Sequence, residues 1–386
     1  MARVSLWSER MAPLAAPSHL NRRRRASPEF KCGAAASTGV HTVIGRPDEE
    51  PGPAIRLGEY RAADGTSGAA VGLDCDRPHV ALVVGKRGYG KSYTLGVLAE
   101  GLARADGVAP VVVDPVGVFS GLAAASPSSR VVDQPHVAAE ALPPRAWCEM
   151  LDLASTEPAG TLVWRAAERA ATLAAMRRTV REASADPAAR RAATNHLDLA
   201  ASWDVFAQSG LTAAELADGG VTVLDVSGLP DAAAAVVVRA VATALYEARV
   251  EGTVRRLPWL LVDEAHVFVD GVAAPALRRL ATRGRQPGVG LVAATQRPGA
   301  VPSAVVSQAD LLLAHRLTAT ADREALAAAE HSYVDGSLVE RLPTAPGEVR
   351  IVDDATETVH AVRVRERDTP HGGATPRAAA VDQRRG

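Results

Sequence analysis

Residues 79–92 read His79-Val-Ala-Leu-Val-Val-Gly-Lys-Arg-Gly-Tyr-Gly-Lys-Ser92, an apolar, β-branched run that leads into a glycine-rich turn. Gly85 to Ser92 fit the pattern G-x-x-x-x-G-K-[S/T] in full, and the residues from Ser92 to Ala105 have the apolar spacing of a helix. A strand, a glycine-rich loop and a helix in this order form a phosphate-binding site. The backbone N–H groups of the loop point towards the phosphate, and the helix N-terminus adds partial positive charge. The stretch predicts an α/β fold that binds a nucleoside triphosphate at this loop.

Two side chains of the loop have specific expected partners. We expect the Lys91 ammonium to reach the β- and γ-phosphates and the Ser92 hydroxyl to bind Mg²⁺. Of the 43 Lys and Arg residues only Lys31, Lys86 and Lys91 are lysines, so a lysine at position 91 indicates that the site requires an ammonium. The predicted contacts to ATP and Mg²⁺ come from Gly85, Lys86, Arg87, Gly88, Tyr89, Gly90, Lys91, Ser92 and Tyr93.

A second buried run, Trp259-Leu-Leu-Val-Asp-Glu264, ends in two carboxylates. Ligands of α/β sheets bind outside the carboxyl ends of the strands, so we expect this acidic pair beside the glycine-rich loop. Asp263 suits Mg²⁺ and its bound water, and Glu264 suits the activation of an attacking water. Taken alone, the run is equally typical of a strand that ends in solvated acids, but with a complete phosphate loop it predicts an ATP-hydrolysing site.

Three further residues are catalytic candidates. Gln296 ends the next apolar run along the chain and is predicted to sense the γ-phosphate or to position water. Arg285, just after a helix-breaking Gly284, and Arg316, at the end of the run 311–317, are alternative arginine fingers that an adjacent subunit would supply to the γ-phosphate. The sequence alone does not choose between these two arginines.

The alternation of apolar runs and helical patterns predicts the fold. The runs are 79–84, 110–114, 221–226, 259–263, 290–295 and 311–317. Buried runs separated by helices predict a mostly parallel sheet with helices on both faces, and residues 348–364 predict a C-terminal β-hairpin. The stretch from about 126 to 216 is mostly helical in pattern and predicts an insertion, because a simple crossover needs only about a dozen residues.

The chain divides into four predicted parts. Residues 1–40 and 366–386 lack periodicity and are expected to be a disordered N-terminal segment and a disordered tail. Residues 41–77 form a short strand-rich segment, and 78–365 form the ATPase domain. The basic residues of the insertion are a hypothesised DNA or partner surface, with a solvated helix face as the alternative: Arg177, Arg178, Arg181, Arg190 and Arg191.

Composition narrows the possible functions. The chain has 386 residues, of which 47% are hydrophobic and 23% charged, and this is a globular composition. The net charge of −1 provides no global basic field, so a nucleic-acid-binding surface would have to be local. The three cysteines are widely spaced, so no disulfide framework is predicted. A protein without disulfides is typical of the reducing cytoplasm, which is therefore the expected location. No apolar run reaches the roughly 18 residues of a membrane span, so no membrane partner is expected.

The order of the motifs resembles one family. After the phosphate loop come Asp114-Pro-Val-Gly117, Leu224-Asp-Val-Ser-Gly-Leu229, Asp263-Glu-Ala-His266, Gly284-Arg285, Thr295-Gln-Arg-Pro298, Ser307-Gln308 and His315-Arg-Leu317. Over about residues 70–365 this combination is similar to the central ATPase domain of the HerA-type DNA-pumping ATPases of the HerA–FtsK superfamily. Two features depart from that pattern: Val118 stands where the family often has an acidic residue, and the segment 41–76 is shorter than the family's N-terminal β-barrel.

The resemblance implies a RecA-like domain that assembles as a homo-oligomer, a hexameric ring, with ATP hydrolysed between subunits and duplex DNA in the pore. It also implies a nuclease partner, and a nucleotide site that contains Lys91, Ser92, Asp263, Glu264 and Gln296. Two other functions remain open on the sequence. One is a ring ATPase of conjugation or secretion, which would require membrane anchoring, and the other is an ATP-gated switch or scaffold with little stimulation by DNA.

Overall fold

The computed structural model describes residues 42–47, 50–62, 64–328 and 336–372, so the segment predicted to be disordered, 1–40, lies outside the described residues. The strands are β1 (Thr42–Ile44), β2 (Ala54–Arg61), β3 (Ser67–Asp74), β4 (Val80–Val84), β5 (Val108–Asp114), β6 (Arg130–Val132), β7 (Val137–Ala138), β8 (Phe206–Ala207), β9 (Thr222–Asp225), β10 (Leu257–Val262), β11 (Gly290–Thr295), β12 (Leu311–Ala314), β13 (Glu348–Asp353) and β14 (Thr358–Val364). The α-helices are α1 (Lys91–Arg104), α2 (Pro144–Met150), α3 (Pro158–Arg169), α4 (Leu173–Glu182), α5 (Pro187–Ser202), α6 (Ala213–Leu216), α7 (Asp231–Val250), α8 (Ala274–Arg283), α9 (Ser303–Val306) and α10 (Thr320–Ala328).

One large sheet organises the described chain, in the order β1-β3-β2-β14-β13-β12-β4-β11-β10-β5-β9-β6. All strands from β12 to β6 pair in parallel, which confirms the predicted mostly parallel sheet. The predicted hairpin is β13–β14, and it continues the sheet antiparallel to β12. β2 pairs with β14, so the N-terminal strands β1–β3 extend this sheet.

Both faces of the parallel strands are covered. Along β4, Val80, Leu82 and Val84 belong to a core shared with α7, α8 and the helices between β6 and β9. Ala81 and Val83 belong to a second core, which is shared with α1. Because alternate residues of each strand are buried against different helices, these strands are continuously apolar in sequence.

The predicted helical insertion is present, with one difference from the sequence-based expectation. Helices α2 to α5 pack around Trp147 and Met176, which are both fully buried, and Trp147 stacks on Phe206. However, β6 lies inside the predicted range and pairs with β9 at the edge of the main sheet. Part of this segment is therefore built into the ATPase sheet. In the described part of the chain, no helix combines the length and apolar character needed to cross a bilayer.

A C-terminal strap, residues 365–372, lies along α1, and this corrects the prediction of a disordered tail from residue 366. Its anchor is Glu100 of α1, a fully buried carboxylate. Glu100 accepts hydrogen bonds from Arg365 Nη1 (2.9 Å), Arg367 Nε (3.3 Å) and the Thr369 backbone N–H (3.0 Å). A buried carboxylate is costly unless it is paired, so α1 requires these partners from the strap. The rest of the predicted tail, 373–386, lies outside the described residues.

The strap predicts a large stability effect at Glu100. Burial would raise the pKa of Glu100, but the hydrogen bonds from the strap outweigh burial and hold this pKa below its ordinary value. We expect Glu100→Gln to lower the free energy of unfolding by about 3 kcal/mol, because it leaves Arg365 and Arg367 without their charged partner. Urea denaturation at pH 7 measures this change.

The matched control is Glu59→Gln. Glu59 forms an exposed ion pair with Arg56 (3.2 Å), with 41% and 47% of the two side chains exposed. Exposed pairs contribute little, so this variant should change the free energy of unfolding by less than about 1 kcal/mol. Equal and small effects of the two substitutions would contradict the assigned role of the strap.

Candidate nucleotide site

The parallel register brings the predicted site residues to one edge of the sheet. Val84 at the end of β4 aligns with Thr295 at the end of β11, and β10 ends beside β11 with Val262 paired to Ala293. Gly85 follows Val84, Gln296 follows Thr295 and Asp263 follows Val262 in the chain. The phosphate loop, the acidic pair and Gln296 are therefore neighbours at this carboxyl edge.

The glycine-rich loop joins β4 to α1 in a conformation that needs glycine. Gly88 has φ 80° and Gly90 has φ 113°, in the left-handed region that side chains disfavour. Helix α1 begins at Lys91, and the N–H of Thr94 donates to the Gly90 carbonyl at 2.7 Å. The first N–H groups of α1 thus lie next to the loop, in the arrangement that binds anions.

Lys91 is the buried cation of this loop, with 4% of its surface exposed. Burial lowers the pKa of Lys91, whereas the charges of Glu264 and Asp263 act in the opposite direction. The lysine and the acidic pair therefore interact electrostatically, as the sequence predicts for one shared site. Arg87 is exposed, and the Lys86 ammonium lies 4.4 Å from the centre of the Tyr89 ring.

Tyr93 lies in the first turn of α1 and contacts the C-terminal strap. Its hydroxyl accepts the backbone N–H of Arg367 at 2.7 Å, and its ring meets the edge of His371 with the centroids 5.3 Å apart. Tyr93 therefore lies in α1 on the helix face that the strap covers, and its hydroxyl is engaged there.

Asp263 is fully buried and only partly satisfied. Its Oδ1 accepts the N–H of Glu264 at 3.0 Å, and the nearby Ser92 hydroxyl acts to lower the pKa of this carboxyl. Its Oδ2 is buried without a hydrogen-bond partner. Burial raises the pKa of Asp263 to about 6. Buried polar atoms are nearly always paired, so an unpaired carboxylate oxygen beside Ser92 indicates a position for a cation or its water.

Glu264 is held in an unusual backbone conformation. Its φ of 45° and ψ of 44° are left-handed, which is uncommon for a residue other than glycine, and such strain concentrates at functional sites. Its Oε2 lies 3.3 Å from Nδ1 of His266. The backbone turn separates the two carboxyl groups: Asp263 is buried against Ser92, and Glu264 is more exposed.

The donors at this edge fit Mg²⁺. No group of three or more His, Cys, Asp or Glu residues in the described ranges is arranged to hold a metal ion. Mg²⁺ needs no such cluster, because one or two protein oxygens, phosphate oxygens and waters complete its coordination. The Ser92 hydroxyl and the unpaired Oδ2 of Asp263 are oxygen donors of the type that Mg²⁺ prefers.

Gln296 stands half-buried directly after β11. Beside it, Thr295 Oγ1 lies 3.3 Å from Nδ1 of His266 and accepts the N–H of Arg297 at 3.0 Å. Burial lowers the pKa of His266, and the charges of Arg297 and Lys91 lower it further, so this imidazole is neutral at pH 7. From the sequence alone, no role is assigned to His266. Its position two residues after Glu264 is the one feature of the sequence that could have indicated a place in the site.

Asp114 also ends a strand at this edge, but its carboxylate is fully engaged. It accepts the backbone N–H groups of Val116 (3.1 Å), Gly117 (2.8 Å) and Phe119 (2.8 Å). Burial raises the pKa of Asp114, and these hydrogen bonds oppose that rise. This carboxylate therefore shapes the Asp114-Pro-Val-Gly turn, a function that the motif alone did not reveal.

The two candidate arginine fingers lie at opposite ends of the parallel strands. Arg285 precedes β11, and its Nη2 is 2.5 Å from Oδ2 of Asp310, the residue before β12. Arg316 follows β12 at the carboxyl edge, where its carbonyl accepts the N–H of Lys86 (2.8 Å) and its guanidinium lies 5.7 Å from the Tyr89 ring centre. Arg316 is thus a neighbour of the phosphate loop in its own chain, whereas Arg285 lies at the other end of the strands.

Together, the sheet and the strand-end residues define an α/β P-loop NTPase fold of the RecA-like type. The family profile described as the central domain of helicase HerA matches residues 55–245. The predicted resemblance to HerA-type P-loop ATPases of the HerA–FtsK superfamily is thereby confirmed.

Two solved structures support the same fold. VirB4 of Thermoanaerobacter pseudethanolicus is 18% identical, with a TM-score of 0.64 over 82% of this chain and 97% of that chain. The plasmid coupling protein TrwB, in complex with ADP and Mg²⁺, is 15% identical, with a TM-score of 0.58 over 84% of this chain and 97% of that chain. No curated protein matches this chain in sequence.

The raised pKa of Asp263 predicts a pH-dependent effect on stability. A carboxyl group with a raised pKa binds more protons in the folded than in the unfolded state, so it destabilises the fold as pH rises from about 4 to about 6. Without nucleotide, we expect Asp263→Asn to be more stable than the parent by about 1–3 kcal/mol at pH 7, with the difference vanishing near pH 4. Thermal unfolding across this pH range measures it.

Asp225→Asn provides the control. Asp225 ends β9 and is half-buried, and its Oδ1 accepts hydrogen bonds from the backbone and the hydroxyl of Ser227 at 2.9 and 2.6 Å. Its replacement should give no stabilisation at pH 7. A loss of stability in Asp263→Asn at pH 7, as in the control, would show that the Asp263 carboxylate is adequately paired.

Proposed function

We propose that this chain is a Mg²⁺-dependent ATPase whose site is formed by the phosphate loop and the acidic pair. The observation that carries the proposal is the unpaired, buried Oδ2 of Asp263 beside the Ser92 hydroxyl, at the edge where the loop begins α1. An ordinary solvated strand end would not bury this carboxylate or raise its pKa. The profile of the HerA central domain and the likeness in fold to TrwB, solved with ADP and Mg²⁺, are consistent with this proposal.

Each residue has a defined task in the proposed reaction. Lys91 and the loop N–H groups bind the phosphates, with Lys91 directed at the β- and γ-phosphate charge. Ser92 and Asp263 would hold Mg²⁺, which neutralises phosphate charge when bound. Glu264 orients the attacking water and accepts its proton, and Gln296 at the end of β11 positions that water or contacts the γ-phosphate.

We further propose that hydrolysis is coupled to the movement of DNA. The chain has a net charge of −1, so the DNA surface must be local, and the insertion has basic residues on α4 and α5. Arg178, Arg181 and Arg191 are exposed. Two others are engaged within the chain: Arg177 lies 2.5 Å from Oδ1 of Asp198, and Arg190 donates to a backbone carbonyl. The three exposed arginines are thus the proposed phosphate contacts, and a nuclease partner is proposed from the family resemblance alone.

The nucleotide site is tested with two substitutions that separate binding from hydrolysis. Lys91→Ala should weaken ATP binding roughly 100-fold, because the phosphates lose a charged hydrogen-bond donor. Glu264→Gln should keep ATP affinity and lower kcat by about 100-fold or more, because Ser92 and Asp263 are untouched. Calorimetric titration and phosphate release measure the two effects, and parent-like values in both variants would exclude this site.

Coupling to DNA is tested by ATPase rates and binding with duplex DNA. The parent should hydrolyse ATP faster with DNA present, and charge reversal of Arg178 and Arg181 together should weaken DNA binding and reduce the slope of log affinity against log salt by about 2. Reversal of Arg278 and Arg323, which are exposed on α8 and α10, is the charge-matched control. ATPase activity without any response to DNA would favour the ATP-gated switch.

The arginine finger is tested by mixing inactive chains. Arg285 lies away from its own phosphate loop, so we expect Lys91→Ala and Arg285→Ala chains to restore part of the ATPase activity when they are mixed. In such a mixture, some interfaces pair an intact loop with an intact arginine. Because Arg316 lies beside its own loop, Lys91→Ala with Arg316→Ala should restore none. The opposite pattern would assign the finger to Arg316.

A further inference from the structure

A buried histidine, His315, lies under the phosphate loop and has no place in the reaction described above. His315 directly follows β12 and is fully buried. Its backbone N–H donates to the Val84 carbonyl at 2.8 Å, which continues the pairing of β12 with β4 to the last residue before the loop. The imidazole therefore lies between the loop and the β13 strand that begins at Glu348.

Both ring nitrogens of His315 have partners, and these partners fix its tautomer. Nδ1 lies 2.8 Å from the Glu348 carbonyl oxygen, which can only accept, so Nδ1 carries the hydrogen. Nε2 is then an acceptor, and the Thr94 hydroxyl donates to it at 3.0 Å. Burial lowers the pKa of His315 to about 4, the Glu348 hydrogen bond opposes this, and the charge of Lys91 lowers it further. The ring is therefore neutral at pH 7 and bridges β13 to α1.

The loop packs directly on the His315 side chain. A Cβ atom at Gly85 would lie 2.5 Å from His315 Cβ, and one at Gly90 would lie 3.3 Å from His315 Cε1. Both glycines therefore pack against His315, Gly85 beside its Cβ and Gly90 beside ring atom Cε1. Any displacement of the His315 side chain therefore changes the support at both ends of the phosphate cradle.

Two backbone hydrogen bonds complete this support. The Lys86 N–H donates to the Arg316 carbonyl at 2.8 Å, and the Gly347 N–H donates to the Tyr89 carbonyl at 3.3 Å. Gly347 and Arg316 are immediate neighbours in the chain of Glu348 and His315. The phosphate loop is thus held from the β12 end and from the β13 start, and His315 connects both to α1.

We propose that His315 is a positioning residue for nucleotide binding, which sets the conformation of the phosphate loop by bridging Glu348 and Thr94 beneath Gly85 and Gly90. The inference rests on the proposed ATPase function and adds to it a residue that touches neither phosphate nor metal. A fixed cradle lowers the conformational cost of binding, because the loop N–H groups are already oriented. Loss of the bridge should therefore reduce affinity for ATP.

The test uses His315→Asn and Thr94→Val, with ATP affinity measured by calorimetry in Mg²⁺ with a non-hydrolysable ATP analogue. Asn at position 315 keeps a donor for the Glu348 carbonyl but no longer reaches Thr94, and Val at position 94 removes only the hydroxyl. We expect His315→Asn to raise the Kd about tenfold, the effect of one buried polar group left without its partner. The double variant should bind no more weakly than His315→Asn, because both substitutions break the same hydrogen bond.

Steady-state kinetics separate positioning from catalysis. The KM for ATP should rise with the Kd, while kcat stays within about twofold, because the loop binds the phosphates before and during reaction alike. His79→Asn is the matched control: His79 is equally buried at the opposite end of β4, where its Nδ1 lies 2.8 Å from Oδ2 of Asp310. This control should lose stability but keep the parent's Kd.

The outcomes distinguish this inference from the proposed function. If Lys91→Ala loses ATP affinity but His315→Asn and Thr94→Val keep it, the positioning role is wrong and the ATPase site stands. If His79→Asn weakens binding as much as His315→Asn, the effect is one of general stability, and the positioning role is again overturned. If the parent binds no ATP, the proposed function fails, and this inference fails with it. Should His315→Asn not fold, Thr94→Val decides the question alone.

Discussion

The parallel pairing of β4 with β11, and of β11 with β10, is the constraint on which the site depends. It requires three strands that are distant in sequence to end together, so that the residues after Val84, Val262 and Thr295 converge. A one-residue shift in either pairing would turn each strand's side chains to the other face and separate Asp263 from Ser92. The continuous burial of these strands on both faces makes such a shift costly, so the cores that stabilise the sheet also align the site.

The charged groups at the two ends of the parallel strands differ in how fully they are paired. At the amino edge, the ionisable groups satisfy one another within the chain: His79 contacts Asp74 and Asp310, and Asp310 also pairs with Arg285. At the carboxyl edge, the Asp263 carboxylate keeps an unpaired oxygen, and Lys91 is buried near it. An unpaired buried carboxylate oxygen reduces stability, so its position beside a buried lysine is what a site for phosphate and a cation requires.

The sequence predicts the parts of this structure that are encoded locally. The phosphate loop, the acidic pair and the parallel strands follow from short patterns, because glycine spacing and continuous apolar runs have direct backbone consequences. The strap on α1 could not be predicted in this way. Its signal in the sequence is one carboxylate, Glu100, among the apolar residues in the middle of α1, and the partners of Glu100 follow more than 260 positions later. The support of the loop by His315 likewise depends on contacts between distant segments. Position in the fold also separates Arg285 from Arg316, which the sequence left as equivalents.

The central claim is that the loop from Gly85 to Ser92 and the carboxylate of Asp263 form one site for Mg²⁺ and ATP. A crystal structure of the chain with Mg²⁺ and a non-hydrolysable ATP analogue tests it most directly. The account predicts that the β- and γ-phosphates lie within the loop, with Lys91 in contact with them and Oδ2 of Asp263 facing Mg²⁺ or its water. Phosphates bound elsewhere, or an Asp263 oxygen that remains unpaired with the nucleotide in place, would contradict it.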